Sequence, residues 1–155
     1  MFVFSTFSLV YFLEEKMKKI IFFLFCLFLV SGCNQYAGLT PKEVTSLYYE
    51  SFAARDYKTM YALVSDGFKL VEPTAQTYDK FAIEMDRFYD SADEIRFISA
   101  DESVIDGNSA NVNYHIEVRL KSGQIKPFDS AFSLKKQNNG WKLIHPYGKN
   151  VDTSK

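Results

Sequence analysis

Val112-Asn113-Tyr114-His115-Ile116-Glu117-Val118-Arg119-Leu120 is the stretch that decides the fold. Val112, Tyr114, Ile116, Val118 and Leu120 fall on one side, and Asn113, His115, Glu117 and Arg119 on the other, which is the two-residue period of a β-strand. A strand with one dry and one wet face belongs to an antiparallel sheet covered on one side only. Turn signals at Asp106-Gly107-Asn108, Ser122-Gly123 and Asn138-Asn139-Gly140 bracket this strand and its neighbours, and about four strands fit between them. Phe128, Phe132 and Leu134 repeat the alternation in the next strand, and Trp141 and Leu143 in the last.

Upstream of Ala92 the period is 3.6. Thr40-Pro41-Lys42-Glu43 reads as a helix start, with Thr40 as N-cap, Pro41 where its missing N–H costs nothing, and Glu43 reaching back in a capping box. Val44, Leu47, Tyr48 and Phe52 then form one apolar face. Asp56 caps a second helix carrying Tyr57, Met60, Tyr61 and Val64. Phe68 to Val71 reads as a short strand before Pro73, and a third helix runs from Thr77 to Ala92 with Tyr78, Phe81, Met85, Phe88 and Tyr89. Helices gathered first and strands after them predict an α+β domain, three N-terminal helices packed on the dry face of a curved antiparallel sheet.

In this order of elements the chain resembles the nuclear transport factor 2-like superfamily, a cone of helices against a strongly curved sheet. The residues that carry the likeness are Glu43-Val44-Thr45-Ser46-Leu47-Tyr48-Tyr49, Ala53-Ala54-Arg55-Asp56-Tyr57 at the helix junction, and Asn139-Gly140-Trp141-Lys142-Leu143-Ile144 in the closing hairpin. The resemblance spans Thr40 to about His145. It implies shape rather than chemistry, because the superfamily hosts enzymes, ligand binders and scaffolds.

The front of the chain has another logic. Met17-Lys18-Lys19, the eleven apolar residues Ile20 to Val30 and the small pair Ser31-Gly32 form the cationic, apolar and cleavage parts of a secretory signal. That run is too short to span a bilayer, which takes about 20 residues. Val30-Ser31-Gly32-Cys33 resembles the lipobox of bacterial lipoproteins, which implies a mature N-terminus at a lipid-bearing Cys33. Glu14-Glu15-Lys16 is necessarily encoded by an unbroken purine tract, the composition of a ribosome-binding site, so Met17 is the expected start. The expected organisation is a signal region over 1–32, a lipidated N-terminus and linker over 33–39, the cone domain over 40–147 and a basic tail over 148–155. Cys26 leaves with the signal and Cys33 is alkylated, so no thiol remains for a disulfide, a metal or nucleophilic catalysis.

Composition sets the outer limits. With 47% hydrophobic and 24% charged residues the chain is ordinary globular material, not disordered or fibrous. From residue 33 onward 15 basic side chains face 17 acidic ones, a balance that points away from nucleic acid as a partner. Charge is unevenly placed: residues 33–134 carry 10 basic and 16 acidic side chains, residues 135–155 five Lys and one Asp. A basic end beside a lipid anchor suits anionic headgroups, and a frayed, solvated C-terminus is the plainer reading.

Four polar residues fall among the inward-facing positions of the strands: Ser99, Tyr114, Ser130 and His145. They are the candidate lining of a pocket. The resemblance implies that an acid or a His inside the cone does acid/base work in the enzymes of the superfamily, and His145 alone of the four titrates near neutrality. No inward carboxylate is evident in the sequence to orient it. His115 shares the wet face with Glu117 and Arg119 and has no evident metal-ligand set, and the acidic run from Asp90 to Asp106 fails the EF-hand frame. The expected function is a membrane-anchored, non-catalytic binding or interaction domain facing outward from a bacterial cell membrane, without cofactor or metal, with a protein or small hydrophobic ligand as partner. The alternatives are a small-substrate enzyme using His145, and a homodimeric scaffold joined through the His115, Glu117 and Arg119 face.

Overall fold

The computed structural model describes residues 35–145. The expected signal region, Cys33 and the basic tail lie outside the described residues. The chain divides into Met1–Gln35 and Tyr36–Lys155, and the second unit holds the fold.

Helix α1, Pro41–Ala53, starts as its sequence dictates: the Thr40 hydroxyl accepts from the Glu43 N–H, and the Glu43 carboxylate accepts from the Thr40 N–H at 2.7 Å. Helix α2, Tyr57–Leu63, is capped by Asp56. Residues 68–71, expected as a strand, instead belong to helix α3, Asp66–Val71. The Ser65 hydroxyl accepts from the Phe68 N–H at 2.9 Å and Asp66 sits in the first turn, so a cap overrides four residues of strand-like composition. After a 3₁₀ turn at Pro73–Ala75 comes helix α4, Tyr78–Arg87, capped by Thr77 and followed by a 3₁₀ turn at Phe88–Asp90.

The sheet is antiparallel throughout. It comprises β1 (Ala92–Ala100), β2 (Val104–Asp106), β3 (Ser109–Leu120), β4 (Ile125–Gln137) and β5 (Gly140–Leu143). The order is β1-β3-β4-β5, with β2 beside β3, so the short β2 is one strand more than the turn signals separate. Register shifts at Ala92/Glu94 and Phe97/Ser99 break the β1–β3 ladder. Such bulges bend a strand, and the sheet curls around the helices as a half-barrel.

The dry face read from β3 is the core face: Val112, Ile116 and Val118 are buried with Leu134 and Leu143 of β4 and β5. Against them pack Val44 and Phe52 of α1, Met60 and Leu63 of α2, and Phe81 of α4. Each such side chain contributes about 1.5–3 kcal/mol by leaving water. The Ser65 N–H donates to the Leu143 carbonyl at 2.8 Å, and Val64 bridges Leu143 in parallel, which fastens the α2–α3 junction to β5. Two consequences follow for function: the concave face is covered by helices only in part, and the end of β5 is buried beneath α3.

Candidate functional site: an aromatic groove in the cone

The interior of the cone is filled by rings. Tyr49 of α1 lies against Tyr114 of β3 with centroids 4.4 Å apart, Tyr114 stacks on Phe132 at 5.1 Å, and Tyr48 meets Phe132 edge-on at 5.5 Å. Burial, reinforced by Tyr114, holds the Tyr48 and Tyr49 phenols far above their ordinary range, so these two phenols stay uncharged at any physiological pH.

Two open grooves flank the stack. One, of about 320 Å³, is lined by Phe88, Tyr114, Ile116, Val118, Phe128, Asp129 and Ser130. The other, of about 440 Å³, lies between Tyr48, Tyr49, Phe52 and Phe132 on one side and Glu84, Met85, Arg87 and Phe88 on the other. Phe88 divides them. Phe128 is 46% exposed in the first groove, an aromatic ring held at the surface by its place opposite Ile116 in the β3–β4 ladder. The site can therefore hold apolar or aromatic matter, with charge only at its rim.

The four pocket candidates separate. Tyr114 and Ser130 are paired across β3 and β4 and share the first groove. Ser99 does not join them: the bulge at Phe97/Ser99 shifts the alternation by one, pairs Ser99 with His115 on the outer face, and gives the inward position to Ala100 opposite Tyr114. His145 lines neither groove. It is 6% exposed beyond β5, its ring 5.1 Å from that of Phe68 and its Nε2 3.3 Å from Glu72 Oε2. A carboxylate does orient it, contrary to the expectation from sequence. The Thr74 hydroxyl and N–H, then His145, hold Glu72 below the usual carboxylate range.

On the outer face His115 stands between two acids, Nδ1 2.6 Å from Asp129 and Nε2 3.7 Å from Asp101. The hydrogen bond to Asp129 raises its pKa above the ordinary imidazole value. The two acids address opposite ring nitrogens, and among the described residues no group of three such ligands converges on one point. Lower on this face Arg119 pairs with Glu94 at 3.2 Å and Arg96 with Glu117. Sequence reasoning also passed over Lys142, whose buried ammonium donates to the Ala62 carbonyl at 2.6 Å. There it neutralises the C-terminal end of α2. Burial, then the nearby Lys69, pushes its pKa down.

Residues 17–34 match the model of the prokaryotic membrane lipoprotein lipid attachment site. No curated protein matches the sequence. Among solved structures, a protein from Thiobacillus denitrificans provisionally named a calcium/calmodulin-dependent protein kinase type II association domain is similar, with 15% identity, TM-score 0.52, and 72% of this chain and 95% of that one covered. A protein from Pseudomonas putida provisionally named a polyketide cyclase gives 18% identity, TM-score 0.51, and coverage of 74% and 96%. A SEC-C motif containing protein from Rhodopseudomonas palustris gives 15% identity, TM-score 0.50, and coverage of 68% and 76%. At these identities the likeness is one of fold. The chain thus carries a lipoprotein lipid attachment site, followed by a domain with the nuclear transport factor 2-like cone fold.

Proposed function

We propose that this lipoprotein faces outward from the membrane and that its cone is a binding module, not an enzyme, which takes apolar or aromatic side chains of a protein partner or a small hydrophobic ligand. The observation that carries this reading is the ring stack of Tyr48, Tyr49, Tyr114 and Phe132, which fills the space a deep reaction chamber would need and leaves a shallow groove around Phe88 and Phe128. Aromatic groups at a partly open surface suit association. His145 and Glu72 supply an acid/base pair in principle, yet Phe68 covers the ring and neither groove reaches it.

Two measurements test the reading. The fluorescent probe 1-anilinonaphthalene-8-sulfonate should brighten with the native protein and lose that signal in Phe128→Glu, whose melting temperature should stay within a few degrees of wild type. Native protein that leaves the probe dark would overturn the groove. For the anchor, Cys33→Ser should leave an unprocessed or unanchored product, and mass spectrometry that finds residues 20–30 retained on the wild-type protein would remove the lipoprotein basis.

A further inference from the structure

Residues immediately after the attachment site are already part of the fold. Tyr36 and Leu39 pack against the core, the Tyr36 hydroxyl is 3.3 Å from Thr59 Oγ1 of α2, and the Leu39 N–H donates to the Tyr36 carbonyl. Gly140, at the turn between β4 and β5, is where this segment lies closest: a Cβ there would stand 2.9 Å from both the Ala37 Cα and the Tyr36 oxygen. Only Asn34 and Gln35 separate Cys33 from Tyr36. Three Cα steps span at most about 11 Å, so a lipid on Cys33 tethers this particular end of the domain and no other.

The same end exposes apolar side chains. The β2–β3 turn belongs to it, since the Lys136 N–H donates to the Asn108 carbonyl. On β2 the consecutive Val104 and Ile105, which point to opposite faces of the strand, are 73% and 55% exposed. Lys136 of β4 and Lys58, next to Thr59, are exposed cations at this end, balanced by the exposed acids Asp56, the cap of α2, and Asp106 of β2. From Gln137 to Phe128 the β4 strand runs nine residue steps, about 30 Å at 3.3 Å per step.

We propose that the end formed by Tyr36–Ala37, the β4–β5 turn and the β2–β3 hairpin rests on the phospholipid surface. The aromatic groove at Phe128 is then held away from the bilayer, open to the aqueous side. This rests on the lipid-anchor reading and sharpens the binding one: the ligand arrives from solution and is not drawn from the lipid. Acyl chains supply the affinity and the short tether supplies the orientation.

The mature chain has no cysteine other than the blocked Cys33, so one added thiol is labelled uniquely. Lipidated protein carrying a bimane on Asn139→Cys or on Ser122→Cys, at opposite ends of β4, is bound to phosphatidylethanolamine–phosphatidylglycerol vesicles containing headgroup-nitroxide lipid. Flotation is read first, quenching second. The expected result is flotation of both, with the label at 139 quenched several-fold more than the label at 122. Flotation with equal or reversed quenching would overturn the orientation and leave the anchor standing, whereas lipidated protein that fails to float would overturn the anchor and the orientation with it.

Discussion

His115 Nδ1 and Asp129 Oδ1 face each other across the β3–β4 ladder at 2.6 Å, and Asp101 approaches the other ring nitrogen at 3.7 Å. The imidazolium is therefore favoured in the folded state and its pKa is raised. For a group so shifted, the added stability is fully present below the unfolded value near 6.5 and is lost as pH rises through the folded value. An NMR titration should place His115 above the free imidazole, and Asp129→Asn should bring it down. A His115 midpoint that Asp129→Asn leaves unmoved would mean the pair does not form in solution.

Trp141 is 7% exposed in β5, where the sheet closes beneath the helices, with the Lys136 ammonium 5.9 Å from its ring centroid. Trp141→Ala should cost about 3–5 kcal/mol, a large share of a small domain's stability. Urea denaturation measures it, and a midpoint indistinguishable from wild type would place the ring outside the core.

His145 is expected to matter for packing and not for turnover. His145→Ala removes a ring that fills the space beside Phe68 and leaves Glu72 with its Thr74 contacts, so a loss of about 1–3 kcal/mol is expected. The cellular role should survive in any variant that still folds. A His145→Gln protein with unchanged melting and membrane location but an abolished phenotype would point to chemistry at this residue.

What could be read from the sequence was whatever depended on near neighbours. The Thr40 and Glu43 cap, the alternation of Val112 to Leu120 and the Asn138-Asn139-Gly140 turn are local patterns, and each appears where it was expected. What could not be read depended on a conflict between two local signals, on contacts distant in the chain or on one inserted residue. Helix α3 was hidden because Phe68 to Val71 has strand-like composition and only the Ser65 hydroxyl decides otherwise. Ser99 was placed inward because period-two counting carries no signal for the bulge after Phe97. The partner of His145 lies 73 residues earlier, on a turn whose approach to β5 exists only once α3 has folded.

Gly140 and Gly107 offer a controlled comparison of backbone conformation with close packing. Both have positive φ, +106° and +58°, but only at Gly140 would a Cβ meet neighbours, the Ala37 Cα and Tyr36 oxygen at 2.9 Å; at Gly107 nothing lies within 4 Å. Gly107→Ala should therefore cost only the left-handed penalty of about 1–2 kcal/mol. Gly140→Ala carries a conformational penalty as well, and must also displace the segment that leads in from Cys33. Its expected cost is larger by at least about 1 kcal/mol, with faster amide exchange at Leu39 as the local sign of release. Chemical denaturation of the two variants with hydrogen exchange at Leu39 measures both effects. Equal costs with unchanged exchange at Leu39 would show that Tyr36 and Ala37 are not held against the turn, and would withdraw the structural basis for a fixed orientation at the membrane.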